Sequence, residues 1–272
     1  AQATTFSVTM KRYAKEVSPT KRGHRWEEIR LLRFAASPLA RLRMSDLEPR
    51  HFAEWRDARL REVSPGTVIR EMGLLRAVLV QSQREWGLLT VNPMDGVKRP
   101  PQPPARQRLP MDAEIEALAI SAGQDLSKST ARAFHAFLFA METAMRAGEI
   151  VGLTWDRVDL GQRVATLPRT KNGTAREVPL SSEAVRLLQA LPEARTCFGL
   201  SSGQLDALWR KLRDRAGVEG LTFHDSRAAA LTRLSRRVDV LTLARISGHR
   251  EIKLLSRVYY RETAADIARR LD

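Results

Sequence analysis

The sequence predicts a mainly α-helical protein with a small antiparallel β-sheet in the second of two domains. Apolar residues recur at helical spacing in both halves, as in Val68, Met72, Leu75 and Leu79. The period changes once, where short runs at 163–167 and 175–179 flank Lys171-Asn172-Gly173-Thr174, and Asn-Gly is a strong hairpin-turn pair. Closely spaced prolines in 98–108 forbid a helix and favour an extended, semi-rigid connection. The expected domains are therefore 1–98 and 110–272, joined by a linker at 99–109.

In the first half, Trp26, Ile29 and Leu32 or Phe34 predict one amphipathic helix. Phe52, Trp55 and Leu60 predict another after Asp46 and Pro49. The clearest helix starts at Ser64, a capping residue followed by Pro65, which fits a first turn. Its buried stripe is Val68, Met72, Leu75 and Leu79, and Arg70, Arg76 and Arg84 lie off it, facing phosphates or simply solvent. In the second half, Asp112 is expected to cap a helix through Leu118. A longer helix follows with Phe134, Phe137, Leu138 and Met141, then the hairpin. After Ser181 and Ser182 the helical period returns with Val185, Leu187 and Leu188, then Leu205 to Leu212, then 224–235, then Val240 to Ile246 closed by Gly248.

Composition narrows the function. The 272 residues carry 46 Lys plus Arg against 31 Asp plus Glu, a formal charge of +15, and 43% are hydrophobic. Such a chain fills real cores, and its charge suits a polyanion, because neutralised phosphates release condensed counterions. The Lys-rich low-complexity tails of ribosomal or membrane-surface proteins are absent. Residues 1–110 hold 21 basic and 11 acidic residues, net +10, against 25 and 20, net +5, in the remainder. Arginine outnumbers lysine 38 to 8, which fits either phosphate recognition or the codon bias of a G+C-rich genome. A single cysteine, Cys197, excludes a disulfide framework and points to a reducing compartment. With no apolar run of about 20 residues and no signal-peptide layout, a cytoplasmic protein is expected, with no membrane partner.

The familiar sites for ATP, dinucleotides and zinc are missing: there is no GxxxxGK[ST], GxGxxG, HExxH or cysteine cluster. No cofactor and no metal are therefore expected. What remains is His224-Asp225-Ser226-Arg227, whose i, i+3 spacing lets an imidazole and a guanidinium meet one phosphate, or else leaves a surface or capping pair. Upstream lies Thr143-Ala144-Met145-Arg146-Ala147-Gly148-Glu149-Ile150; downstream lies Ile246-Ser247-Gly248-His249, then an apolar helix reaching Tyr259-Tyr260.

In that order, these motifs resemble those of the tyrosine recombinases, the phage integrase family. The resemblance covers roughly 110–272 and, more loosely, the helical first half, similar to the family's core-binding domain. Arg146 matches the first arginine box with Glu149 as its acidic support, and Lys171 the hairpin lysine. His224 and Arg227 match the HxxR box, and Gly248-His249 the later Gly-His pair. Ala144 stands where glycine is commoner, and Ala228 where a second histidine is common. The nucleophilic tyrosine usually lies nine residues after the Gly-His histidine, which here is Val258; Tyr259 is nearest and Tyr260 next. Ile252, Leu255 or Ser256, and Tyr259 share a helix face, from which Tyr260 is rotated by about 100°. Tyr259 is the expected nucleophile, with Tyr260 the alternative, and the other tyrosine packs in the core.

The resemblance implies a two-domain C-shaped clamp that cleaves and rejoins a double-stranded DNA recombination site through a 3′-phosphotyrosyl bond. Arg146 and Arg227 neutralise the transition state, His224 and His249 assist the tyrosine proton, and Lys171 protonates the 5′-oxygen. Arg70, Arg76, Arg84, Lys98 and Arg99 are the expected DNA contacts of the first domain and linker. A homo-tetramer on DNA and accessory DNA-bending proteins are the implied partners, with an arm-binding domain before Ala1 as a further expectation. The segment Arg261 to Asp272 packs on a neighbouring protomer or on its own domain. A type IB topoisomerase and a non-catalytic DNA-binding protein are the rival readings.

Overall fold

The computed structural model describes residues 4–104, 106, 108–168, 175–260 and 268. Lys171 with its Asn-Gly turn, and all of 261–272 except Ala268, lie outside them. The chain divides into two compact units, 1–105 and 106–272.

The first unit is built from α1 (Phe6–Glu16), α2 (His24–Ala35), α3 (Pro49–Leu60) and α4 (Pro65–Arg84). The expected α4 stripe is its spine: Val68, Met72, Leu75 and Leu79 are all buried, against Phe6, Met10 and Phe52. Ser64 stands at the N-cap, but its hydroxyl pairs with Thr67 Oγ1 at 3.2 Å instead of a backbone amide. Of the stripe expected on α2 the Phe34 alternative is buried, beside Leu31, whereas Trp26, Ile29 and Leu32 are corrected to surface positions, 42%, 59% and 57% exposed. A buried ion network joins three helices, since Glu71, fully enclosed, accepts from Arg59 at 2.8 and 3.1 Å and from Arg30 at 3.1 Å. Removing Glu71 leaves the buried Arg59 with Glu62 as its remaining carboxylate and Arg30 partly open to solvent, so Glu71→Ala is expected to cost about 3 kcal/mol, the lower end for a broken buried pair. Urea unfolding followed by tryptophan fluorescence measures the loss.

The second unit holds α5 (Asp112–Ala122), α6 (Ser129–Thr143), α7 (Ala147–Val151), the strands β1 (Val158–Asp159), β2 (Val164–Leu167) and β3 (Arg176–Pro179), and then α8 (Ser182–Gln189), α9 (Ser202–Arg215), α10 (Asp225–Leu234), α11 (Val240–Ser247) and α12 (Ile252–Tyr259). The cap of α5 is Met111 and not Asp112: the Glu114 carboxylate reaches back to the Met111 N–H at 2.9 Å. The sheet is antiparallel in the order β1-β2-β3, one strand more than expected, and Leu167 pairs with Arg176 and Ala165 with Val178. Arg163 has φ 56° and lies outside the strand expected to begin there. Two larger cores, around Phe139 and Phe198 and around Phe137 and Trp209, support a smaller one of Ala144, Ala230, Leu231, Leu243, Ala244 and Leu255. Cys197 is buried, its thiol pushed up to about 12 by that burial.

Candidate active site

Helix ends assemble the site. Ala144 closes α6 in a left-handed conformation at φ 54°, and Gly248 closes α11 at φ 69°. The Ala144 carbonyl and the Ser247 carbonyl, the latter at 2.7 Å, both accept from the Arg227 guanidinium, which is 3% exposed. Helix C-termini carry roughly half a negative charge each, so these two ends hold the buried cation without a carboxylate bonded to it among the described residues. A side chain at Ala144 costs roughly 1 kcal/mol of left-handed strain, offset by about 0.8 kcal/mol for its buried methyl group. Ala144→Gly is therefore expected to change unfolding free energy by less than about 0.5 kcal/mol, as denaturant titration can check.

A second group surrounds Glu149. Its carboxylate accepts from the Arg146 N–H at 2.8 Å and from Arg146 Nη1 at 3.0 Å, capping α7. Arg176, at the start of β3, grips the same carboxylate with two bonds of 2.9 and 2.8 Å and donates Nε to the Ile246 carbonyl at 2.9 Å. Burial opposes charge on Glu149, but the Arg176 bonds, the Arg146 amide and both cations outweigh it and hold the carboxyl down to about 2. Gly248 is favoured there by its positive φ, and a Cβ would lie 3.0 Å from Arg176 Nη1 and press on the guanidinium that holds Glu149.

Two guanidiniums, Arg146 and Arg176, share the Glu149 carboxylate, and with Arg227 close enough to feel all three charges the group holds a local surplus of two positive charges. Burial, then repulsion from Arg146 and Arg176, lowers Arg227 to about 9, against the pull of Glu149; it remains a cation at neutral pH. His249 places Nδ1 2.7 Å from Ser247 Oγ. Burial first, then Arg227, Arg146 and Arg176, take its ring down to about 4, so it is neutral at neutral pH. His224 stands at the N-cap position of α10 and, with Arg146, Gly148, Glu149, Leu167 and Pro168, lines a cavity of about 650 Å³.

The two tyrosines differ. Tyr259, the last residue of α12, packs half-buried against the small core beside Ala144; burial raises its hydroxyl pKa, and the Arg227 charge pulls it back. Tyr260 donates its hydroxyl to the Val238 carbonyl at 2.6 Å.

Arg146, Glu149, Arg227 and His249 therefore form one charged cluster, with His224 on the adjoining cavity. In the first unit Arg70, Arg84, Lys98 and Arg99 are exposed, whereas Arg76 is ion-paired with Asp95. Sequence reasoning missed Arg176, although strand alternation carried a signal: it shares a face with Val178, and its side chain is 8% exposed. It also missed Arg106, at the second unit's start, which grips Asp225 with two bonds of 2.8 Å while the Thr222 N–H donates to the same carboxylate at 2.7 Å. That clamp fixes the turn between His224 and Arg227. Among the described residues there is no group of three or more potential metal ligands, and no helix is long and apolar enough to cross a membrane.

Residues 111–266 match the model of the phage integrase family. A candidate integrase/recombinase of Haemophilus influenzae is 42% identical over 99% of this chain and 90% of its own. A shufflon-specific DNA recombinase of Escherichia coli is 33% identical over 93% of this chain and 68% of its own. Among solved structures, a lambda integrase tetramer bound to a Holliday junction has the same fold, with a TM-score of 0.74 and 17% identity over 97% of this chain and 80% of the other. Together with the ordered cluster of Arg146, Arg227, His249 and Tyr259, these matches make the chain a member of the phage integrase family, the tyrosine recombinases.

Proposed function

We propose that the protein cleaves and rejoins a specific double-stranded DNA site through a 3′-phosphotyrosyl bond to Tyr259, without ATP or metal. The observation that carries this reading is the local surplus of two positive charges beside a half-buried tyrosine. A phosphodiester anion matches that surplus, and its transition state gathers still more charge on the non-bridging oxygens. Arg146 and Arg227 neutralise that charge with fixed, forked donors, a role lysine fills poorly. Arg176 acts through Glu149, holding the carboxylate that orients Arg146.

In the step itself, the Tyr259 oxygen attacks phosphorus and the bond to the 5′-oxygen breaks. The tyrosine proton leaves with help from His224 or His249, and the departing oxygen takes a proton from Lys171, the general acid implied by the family resemblance. The new phosphotyrosyl ester conserves the bond energy, so religation needs no other energy source. Exposed Arg70, Arg84, Lys98 and Arg99, on a first half of net +10, supply non-specific grip on the duplex. Exchange needs two duplexes and four protomers. The lambda integrase tetramer on a Holliday junction supports the same assembly here, acting on cytoplasmic DNA with accessory DNA-bending proteins where the site requires them.

A nicked suicide duplex carrying the core site tests the proposal. Wild-type protein is expected to become covalently attached. If no cognate site yields an adduct, the chain is a DNA-binding protein on a recombinase scaffold. Strand exchange between two duplexes, against relaxation of one supercoiled plasmid, separates a recombinase from a topoisomerase.

A further inference from the structure

We propose that Arg233, which belongs to none of the site's motifs, is a positioning residue that holds the end of α6 and thereby sets both Arg146 and Arg227. The inference rests on the recombinase reading for its effect on rate and on three helix contacts for its content. α6 ends at Thr143, and a helix leaves its last carbonyls without partners of its own. Arg233, on α10, donates from Nη2 to two of them, Met141 and Glu142, at 3.1 Å each. That nitrogen has two hydrogens, one for each carbonyl. The Glu142 carboxylate lies 3.0 Å from the same nitrogen as an ion pair. Ser181 Oγ, at the N-cap of α8, donates to that carboxylate at 2.6 Å while accepting from the Ala184 N–H at 3.1 Å. α6, α8 and α10 are therefore tied at one point.

The tied point carries the site. The Ala144 carbonyl, two residues beyond Glu142, accepts from Arg227, so two arginines of α10 hold neighbouring carbonyls of one helix end. Both cations also face the negative end of the helix dipole. Ala144 is left-handed at φ 54°, a conformation that a residue with a Cβ keeps only where its surroundings hold it. Arg146 follows two residues later, its N–H and guanidinium fixed on Glu149. Loss of Arg233 loosens the end of α6, which moves the Ala144 carbonyl and the Arg146 turn together. Arg227 does not follow them, because its Nη2 is bonded to the Ser247 carbonyl at 2.7 Å. A misplacement of about 1 Å in a reacting site can cost roughly 10²-fold in rate. Arg233 thus acts on the phosphate-facing arginines through the backbone of 141–146.

The test uses the full chain in two measurements. In nitrogen-15 spectra of the arginine side chains without DNA, with Arg227 assigned by Arg227→Lys, wild type is expected to show slowed guanidinium rotation at Arg227 from its two carbonyl bonds. Arg233→Met keeps most of the stem and loses the donors; it is expected to shift and average those signals, and Arg233→Lys to restore them in part. In single-turnover cleavage of the nicked duplex, Arg233→Met is expected to slow adduct formation roughly 10-fold per folded molecule with DNA affinity unchanged, and Arg233→Lys to recover part of the rate. Glu142→Gln, which removes the charge of the ion pair, is expected to move both readouts less in the same direction, and it decides the case if Arg233→Met does not fold. A lower melting temperature with the Arg227 signals or the rate unaltered makes Arg233 a purely structural residue and overturns the proposal. A loss of affinity equal to the loss of rate makes it a phosphate contact and overturns it as well. The Arg227 signals are read without DNA, so positioning is decided even if wild type forms no adduct, an outcome that would defeat the recombinase reading separately.

Discussion

Tyr259→Phe is expected to abolish covalent attachment to a nicked core-site duplex, while Tyr260→Phe still forms the adduct. The two side chains are adjacent and chemically identical, so only their surroundings distinguish them. Tyr260 has its hydroxyl committed to the Val238 carbonyl at 2.6 Å, and removing it costs about 1 kcal/mol of stability through that lost bond. The Tyr259 hydroxyl lies within the field of Arg227, the cation that favours phenolate character against the opposing effect of burial. Phenylalanine keeps the ring packed on the small core and removes only the nucleophilic oxygen, so folding and DNA affinity should stay close to wild type. Gel detection of the protein–DNA adduct beside a binding titration decides it. An adduct in Tyr259→Phe that is absent in Tyr260→Phe would transfer the nucleophile to Tyr260.

Arg227→Gln is expected to lower single-turnover cleavage by about 10³-fold or more, with a far smaller loss of DNA affinity. Removing one preorganised donor from a site of developing charge typically costs roughly 10²- to 10³-fold, and here a full charge leaves with it. Affinity is spread over many phosphate contacts on a chain of formal charge +15, so one buried cation contributes little to it. Arg227→Lys should rescue poorly. An ammonium is a point charge, whereas the Arg227 guanidinium spans the Ala144 and Ser247 carbonyls and still presents an edge toward His249. Equal losses of affinity and cleavage would make Arg227 a grip residue and not a catalytic one.

Local chemistry carried much of the fold into the sequence. The α4 stripe, the left-handed stop at Gly248 and the alternation of β3 are set by residues a few positions apart, and each is legible without the structure. The same reasoning placed only Phe34 correctly on α2: Trp26, Ile29 and Leu32 have helical spacing but face outward, and Leu31 joins Phe34 in the core. Periodicity identifies a helix; it does not say which face another element covers.

For the site, the sequence by itself determined the cast: Arg146, Glu149, His224, Arg227, His249 and a tyrosine pair, in an order that identifies the family. Only the tertiary structure decided how they are held. Arg176 reaches Glu149 across 27 residues, Arg227 reaches the Ala144 carbonyl across 83, and Arg106 reaches Asp225 across 119. Both carbonyls that accept from the Arg227 guanidinium stand at helix ends, which no side-chain motif records. Charge state and proton position depend on burial and on neighbours brought together by folding, and so the neutral His249, the strongly acidic Glu149 and the difference between Tyr259 and Tyr260 belong to the fold.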